Sequence, residues 1–386
     1  MKRVLPILVL LLMCASGVLY SKPGVPGKIT ADLTERINKS SNSDELIPVI
    51  IVMNDQYDAT KNVRQTQFLD KSQRRAFVIN ELKRIADDGQ VAIVNELQQG
   101  QRSSIVSDIH QLWIINGICC SMTKDMIYAI ANRSDIGYIM SDVEVCIPDG
   151  EDDEEVTNPT RGIQWNVSQV NADDVWSLGY TGNGVIVAVI DSGVNYNHND
   201  ISNNMWDGGT DYPFHGWDYY NNDNNPMDDH SHGTHCAGTV SSYGASGEQC
   251  GIAKNAKIMA LKVLGSGGSG STSYTMQAIQ FAVDHGADVL SLSLGTDGSA
   301  GIESYRQLME NVLQCGVVAS IAAGNTGNKY DDYGNLQYPV PYNVGSPGNI
   351  PSPWGNPDQT YVSYFDRQVV YHSHHLGSPA HTVMVQ

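Results

Sequence analysis

Two different patterns of apolar and polar positions divide the chain. From residue 184 onward, short and nearly continuous apolar runs alternate with segments of helical period; the runs are GVIVAVIDSGV (184–194), AKIMALKVLG (256–265), ADVLSLSLG (287–295) and GVVASIAAGN (316–325). Strands that are buried on both faces are apolar throughout, and strands that alternate with helices form parallel sheets. The pattern therefore predicts an α/β fold whose parallel sheet carries helices on both faces.

The residues before this region predict a smaller α+β unit. ELIPVIIVM (45–53) has the composition of a buried strand, and residues 71–99 have helical spacing with charged residues on the outer face. Residues 108–123 predict a strand pair or one long strand. Residues 124–145 predict a short helix followed by a last strand.

A dense acidic block separates the two patterns. Six of the seven residues from Asp149 to Glu155 are Asp or Glu. Such a run of like charges repels itself and stays extended, so we expect an interdomain linker that proteases can reach. The predicted segments after the N-terminal 21 residues are an α+β domain (22–148), the linker (149–164), the α/β domain (165–359) and a tail of atypical sequence (360–386).

The N-terminus predicts export. Lys2 and Arg3 precede an apolar run that extends to Met13, and small residues follow. This arrangement is typical of a secretory signal peptide and is too short to span a bilayer. We expect residues 1–21 to be removed and the protein to be secreted or to reach the periplasm or cell surface. A buried N-terminal helix is the alternative, and Cys14 leaves a lipoprotein signal open.

Charge and cysteine content narrow the possible partners. The chain has 23 basic and 42 acidic residues and a formal net charge of −19, which argues against binding to a nucleic-acid backbone. No later run is long and apolar enough to predict a membrane helix. Removal of the signal would leave six cysteines, which could form disulfides in an exported protein or remain buried thiols.

Three polar residues lie where the predicted sheet would bind a ligand. Asp191 ends the first apolar run, His232 opens a helical segment within HSHGTHCAG, and Asn325 follows SIAAG. Ligands of such sheets bind beyond the carboxyl ends of the strands. A serine nucleophile needs a base, a carboxylate that orients the base and a donor for the developing oxyanion. These three side chains are suited to those three roles.

Five motifs in one order resemble the subtilisin family of serine endopeptidases. They are VAVIDSGVNYNHND, HSHGTHCAG, LKVLGSGGSGS, LSLSLG and SIAAGNTGN, and they lie within residues 165–325. The resemblance implies that Asp191 is the acid of a catalytic triad, His232 its base and Asn325 the oxyanion donor. It also implies that the substrates are proteins or peptides and that no cofactor is required for the chemistry.

The resemblance also implies a substrate cleft with two walls. Ser293, Leu294 and Gly295 would form one wall, and GSGGSGS (265–271), which includes Gly267, would form the other. An extended peptide would bind between them as an added strand. The α+β unit resembles the inhibitory and folding-assisting propeptide of these proteases, a β-α-β-β-α-β module, so the chain's own propeptide is an expected partner.

Two kinds of metal site come into question. His230, His232 and His235 could bind zinc, but no HExxH-type base accompanies them. The resemblance places Asp200 where the family commonly ligates a structural calcium ion. The loop DYYNNDNNPMDD (218–229) offers further oxygen ligands, although a solvated turn explains its composition equally well.

The nucleophile expected from the resemblance is missing. The family has its serine in a GTSxAxPHV-like segment well after the oxyanion asparagine, and no Gly-Thr-Ser occurs in this chain. Ser378 has a similar local setting, but only eight residues follow it, which is too few for a supporting helix. We therefore expect a C-terminally truncated, inactive product. The alternative is a non-catalytic pseudoprotease, or an inhibitor or chaperone of a related protease.

Overall fold

The computed structural model describes residues 27–148, 162–296, 302–324 and residue 347. The predicted signal peptide and most of the acidic linker lie outside these residues, as does nearly all of the chain after residue 324.

The first structural unit is a four-stranded antiparallel sheet packed against helices. Its strands are β1 (Ile47–Met53), β2 (Val106–Leu112), β3 (Gly117–Met122) and β4 (Ile136–Ser141), in the order β2-β3-β1-β4. Its helices are α1 (Ala31–Lys39), α2 (Ala59–Thr66), α3 (Lys71–Arg102) and α4 (Lys124–Ala131). The region 108–123 is a pair of strands, one of the two forms that its pattern predicts. A short strand, β5 (Glu144–Cys146), follows the sheet.

Helix α3 joins the core of this unit to the rest of the molecule. It begins with a capping box in which Asp70 accepts from the backbone N–H of Gln73 and the Gln73 side chain accepts from the backbone N–H of Asp70. Ile93 and Leu97 pack in the core of the first unit. Residues nearer the N-terminus of α3, including Leu82, pack in a second cluster that continues into the parallel sheet. The two units therefore share buried apolar surface.

The second unit is built on a five-stranded parallel sheet. Before and between its strands lie short elements: β6 (Gly162–Ile163), α5 (Trp165–Gln169), α6 (Ala172–Ser177) and β9 (Glu248–Gln249). The sheet strands are β7 (Ile186–Asp191), β8 (Gly216–Asp218), β10 (Lys257–Lys262), β12 (Val289–Leu292) and β13 (Val318–Ile321), in the order β13-β12-β7-β10-β8. The larger helices are α7 (His232–Ser241), α8 (Thr272–Asp284) and α9 (Ile302–Gln314), and β11 (Ser269–Ser271) precedes α8.

Alternate residues of β7 are buried against opposite layers of helices. Ala188 and Ile190 pack in the cluster that contains the apolar face of α8. Val187 and Val189 pack with Ala237 of α7 on the other face. The strand is apolar throughout because both of its faces are covered, which confirms the predicted α/β fold class.

The described part of the chain contains six cysteines, and all are free thiols. Among the same residues, no helix combines the length and apolar character that crossing a membrane requires.

Candidate active site

Asp191 and His232 are in direct contact at the carboxyl end of the parallel sheet. Asp191 is the last residue of β7 and His232 is the first residue of α7. The Nδ1 atom of His232 lies 2.8 Å from Oδ1 of Asp191, and their side chains are 17% and 1% exposed. The backbone N–H of Ser192 donates to the same Asp191 oxygen at 2.7 Å. The buried carboxylate therefore engages one ring nitrogen and leaves Nε2 as the atom that would exchange a proton with another group.

The surroundings of His232 favour its protonated form. Burial of the ring by itself lowers the pKa of His232, but the hydrogen bond to Asp191, the contact with the Cys236 thiol and the charge of Asp191 outweigh it. The net effect raises the pKa of His232 from 6.5 to about 10. The Sγ atom of Cys236 lies 3.8 Å from Nδ1 of His232, one helical turn along α7. At neutral pH the ring therefore carries its proton, and it can accept a proton from another group only after losing this one.

Two glycines allow close approaches to the loop that follows β7. A Cβ atom on Gly233 would lie 2.1 Å from the carbonyl oxygen of Gly193, which is far inside van der Waals contact. Gly193 has a φ of 103°, a conformation that side chains disfavour, and a Cβ there would lie 2.7 Å from the carbonyl oxygen of Pro226. Glycine at 233 therefore allows α7 to approach the loop after β7, and glycine at 193 allows that loop to approach residues 226–227.

Strand β5 lies between two segments of the second unit near this pair, since Gly268 is next to His230 and the Ser293 side chain interacts with Cys236. On one side, β5 pairs antiparallel with β11, so that Val145 lies opposite Gly270. On the other side, the backbone of Cys146 exchanges two hydrogen bonds of 2.9 Å with Gly295. The backbone N–H of Ile147 donates to the carbonyl oxygen of Gly268 at 2.9 Å. A segment of the first unit thus binds as an added strand between β11 and the backbone of Gly295.

The residues predicted for the cleft walls differ in how they contribute. Gly295 pairs directly with the strand in the cleft. The side chain of Leu294 is buried in the core, so its contribution to a wall is limited to its backbone. Ser293 is partly exposed beside it. Gly267 is exposed in a turn, and the neighbouring Gly268, rather than Gly267, accepts the hydrogen bond from Ile147.

Comparison with known proteins adds to this geometry. Residues 182–362 match the peptidase S8, or subtilase, family. This segment belongs to the subtilase family. The Minor extracellular protease Vpr of Bacillus subtilis (strain 168) is 37% identical over 188 residues, which cover 46% of this chain and 21% of that protein. Subtilisin E of the same strain is 34% identical over 193 residues, 50% of this chain and 47% of that protein.

A third relative aligns over a longer stretch. The Alkaline protease of Alkalihalobacillus alcalophilus is 30% identical over 261 residues, 68% of this chain and 60% of that protein. An alignment of this length extends well into the residues that precede the matched subtilase segment at 182–362. The chain spans between about one fifth and three fifths of the lengths of these three relatives. The segment is similar to subtilisin-like serine peptidases, in agreement with the resemblance seen in its motifs.

Helix α8 of the subtilase segment is contacted by the first unit at both of its ends. At its N-terminus, the carboxylate of Asp142 accepts from the backbone N–H and the hydroxyl of Ser273. At its C-terminus, the Arg75 guanidinium donates to two backbone carbonyl oxygens, and Lys83 pairs with Asp284 at 2.6 Å. An anion at the N-terminus and cations at the C-terminus both match the helix dipole.

The three histidines that could have formed a zinc site do not gather in one place. Nδ1 of His232 is engaged by Asp191, the His230 ring centroid lies 6.4 Å from that of His232, and His235 is exposed. In the described parts of the chain, the group of three potential ligands within reach of one ion is Asp191, His232 and Cys236. The three-histidine alternative therefore has no support in this geometry.

Calcium at Asp200 remains a prediction, and the surroundings of this residue do not favour it. Both carboxylate oxygens of Asp200 accept hydrogen bonds from Ser246, one from its backbone N–H and one from its hydroxyl. Calcium needs six to eight oxygen ligands. Among the residues that the structure describes, Asp200 belongs to no group of three acidic, histidine or cysteine ligands.

Several predicted residues lie outside the described residues. These are the predicted oxyanion donor Asn325, the poor nucleophile candidate Ser378 and the atypical tail. Two features of the site were missed from sequence. Strand β5 has only three residues and no period, and Ser192 is a buried serine whose hydrogen bonds have no sequence signature. Only the position of Ser192 directly after Asp191 could have drawn attention to it.

Proposed function

We propose that this chain derives from a secreted serine endopeptidase of the subtilisin type. In this proposal Asp191 orients His232, His232 takes the proton of a serine nucleophile, and Asn325 donates to the oxyanion. The observation that carries the proposal is the buried Asp191–His232 contact beside a cleft that accepts an extended chain as an added strand. The match to the subtilase family supports it.

The remaining roles follow from the same proposal. Residues 1–21 would direct export, and residues 22–148 would be a propeptide whose strand β5 blocks the cleft. The acidic linker 149–164 would then be the place where the propeptide is separated. The two-sided pairing of β5 and the contacts at both ends of α8 support the inhibitory role, because substrate could not enter while they persist.

The chain as given is proposed to be inactive, because its sequence contains no Gly-Thr-Ser segment. In subtilisin, loss of the serine lowers kcat by roughly 10⁶-fold. Purified protein should therefore hydrolyse casein no faster than a H232A variant of the same chain. Casein hydrolysis that a serine-directed phosphonate blocks would contradict this proposal. Translation of the DNA beyond codon 360 in all frames tests the lineage, since a Gly-Thr-Ser-x-Ala segment there would identify a truncated gene.

A second candidate is an inhibitor or chaperone that acts on a related protease in trans. The observation that favours it is that the first unit has its own apolar core and presents β5 to a subtilase cleft. Residues 28–148 would be produced alone, checked for folding by circular dichroism and titrated against subtilisin E. Nanomolar inhibition would support this candidate, and no inhibition by a folded fragment would exclude it.

A further inference from the structure

The carboxylate of Asp228 is the centre of a hydrogen-bond network next to the acid–base pair. Its Oδ1 accepts from the Ser192 hydroxyl at 2.9 Å, from the backbone N–H of His230 at 2.9 Å and from that of Ser231 at 3.0 Å. Its Oδ2 accepts from the backbone N–H and the hydroxyl of Thr234. One side chain therefore contacts the segments that flank both Asp191 and His232.

The strand side of this network runs through Ser192. The backbone N–H of Ser192 donates to Oδ1 of Asp191, and its hydroxyl donates to Asp228. The same hydroxyl oxygen accepts from the backbone N–H of Gly233 at 2.9 Å. Ser192 is fully buried, so solvent does not replace these bonds. The residue after the acid is thereby tied to the residue after the base.

The helix side of the network fixes an unusual start of α7. Ser231, the residue before His232, has a φ of 85° and makes no side-chain cap to the helix. A non-glycine residue in this conformation persists only where its surroundings hold it. The bonds of Asp228 to the backbone N–H groups of Ser231 and Thr234 lie on either side of His232. Asp228 thus caps the helix in place of the usual N-cap side chain.

The charge of Asp228 is maintained in this environment. Burial acts to raise its pKa, but the hydrogen bonds from Thr234, His230 and Ser192 outweigh burial and lower the pKa below its usual range. Asp228 is therefore an anion at neutral pH and a strong acceptor for all five donors.

We propose that Asp228, acting through Ser192 and the first turn of α7, is the positioning residue that holds His232 against Asp191. It touches neither the substrate cleft nor the ring of His232 in this network, and it works by fixing the two backbones that carry the pair. The inference rests on the proposed function only for the roles given to Asp191 and His232. Its test requires no catalysis, so a chain without hydrolytic activity is suitable.

The test is the pKa of His232 in the full chain, measured by NMR after labelling of histidine and assigned by loss of the signal in a H232Q variant. If the variants loosen the hydrogen bond between His232 and Asp191, the burial of the ring outweighs the weakened bond, so the pKa of His232 should fall. We expect D228A to lower it by at least about one unit, because hydrogen bonds to charged groups contribute on this scale. We expect S192A, which changes no charge, to lower it by at least about half a unit.

The control is D223A, which removes an exposed carboxylate from the same loop and should leave the pKa of His232 unchanged. If the pKa of His232 in both S192A and D228A equals that of the unmodified protein, the proposal is overturned, even if both variants have reduced thermal stability. Asp228 would then have a structural role only. If D228A does not fold, D228N retains the shape of the side chain. A lowered pKa in D228N would support the proposal, and an unchanged one would overturn it.

Discussion

Replacement of Asp191 by asparagine gives the sharpest view of the acid–base pair. The amide has the shape of the carboxylate but no charge, so His232 loses the hydrogen bond and charge of Asp191 that raise its pKa, while it retains the contact with Cys236 and the burial that lowers the pKa. The pKa of His232 should then fall by about one to three units. One pKa unit corresponds to about 1.4 kcal/mol, and removal of one partner of a buried pair costs about 3–5 kcal/mol. The free energy of unfolding of D191N at pH 6 should therefore be about 3–5 kcal/mol lower than that of the unmodified protein.

The pH dependence follows from the direction of this shift. The pKa of His232 is higher in the folded protein than in the unfolded chain, so the pair stabilises the fold fully below pH 6.5 and this contribution disappears as the pH rises through about 10. Urea unfolding of D191N and the unmodified protein at a series of pH values would measure the difference in free energy of unfolding. D200N serves as a control, since the Asp200 carboxylate accepts hydrogen bonds from Ser246 and, among the described residues, none from the pair. A difference that stays constant from pH 6 to pH 10 would refute the reasoning.

Two further predictions concern the contacts that shape the cleft. Asp142→Ala removes the acceptor for both donors of Ser273 and should lower the free energy of unfolding by about 1–2 kcal/mol. Asp142→Asn should lower it by less at pH 7. The reason is that burial raises the pKa of Asp142, so the charged carboxylate is less favourable in the folded protein than in the unfolded chain. Equal losses in the two variants would contradict this. Gly233→Ala forces a Cβ to within 2.1 Å of the carbonyl oxygen of Gly193 and should prevent folding or cost more than about 3 kcal/mol. Gly238→Ala lies in open space on the same helix and should be neutral or stabilising by up to about 1 kcal/mol, so thermal unfolding of the two variants provides a matched comparison.

The parallel sheet could be predicted because its physical cause lies within each strand. β7 is apolar at every position since helices cover both of its faces, and this is visible in the run GVIVAVIDSGV without any knowledge of its neighbours. The contact between Asp191 and His232 is different. Each residue alone has no diagnostic setting, and only the order of the motifs indicated that they meet.

The contacts of Asp228 could not be predicted for a physical reason. Four of its hydrogen bonds go to backbone N–H groups or to a serine, and the backbone N–H is common to nearly every residue. Its sequence context of Asn and Asp suggested a calcium loop or a solvated turn instead. In the structure both of its oxygens are engaged by hydrogen bonds within the protein.

The position of β5 in the cleft could not be predicted either. Its partners β11 and Gly295 are distant in sequence, and a strand of three residues is too short to have a period. Pairing of this kind depends on how the two units pack, which is governed by contacts such as those of Arg75 and Lys83 with α8.

Formation of a disulfide between Cys146 and a cysteine introduced at Gly295 tests the central claim most directly. These residues form a hydrogen-bonded antiparallel pair, whose Cα atoms lie about 5.5 Å apart, within the range that a disulfide spans. Under mild oxidation, mass spectrometry of a protease digest should show Cys146 linked to residue 295 in G295C, whereas G267C, in the exposed turn, should form little of the corresponding link. Absence of the 146–295 link in folded, oxidised G295C would contradict the account, because β5 would then not occupy the cleft beside His232.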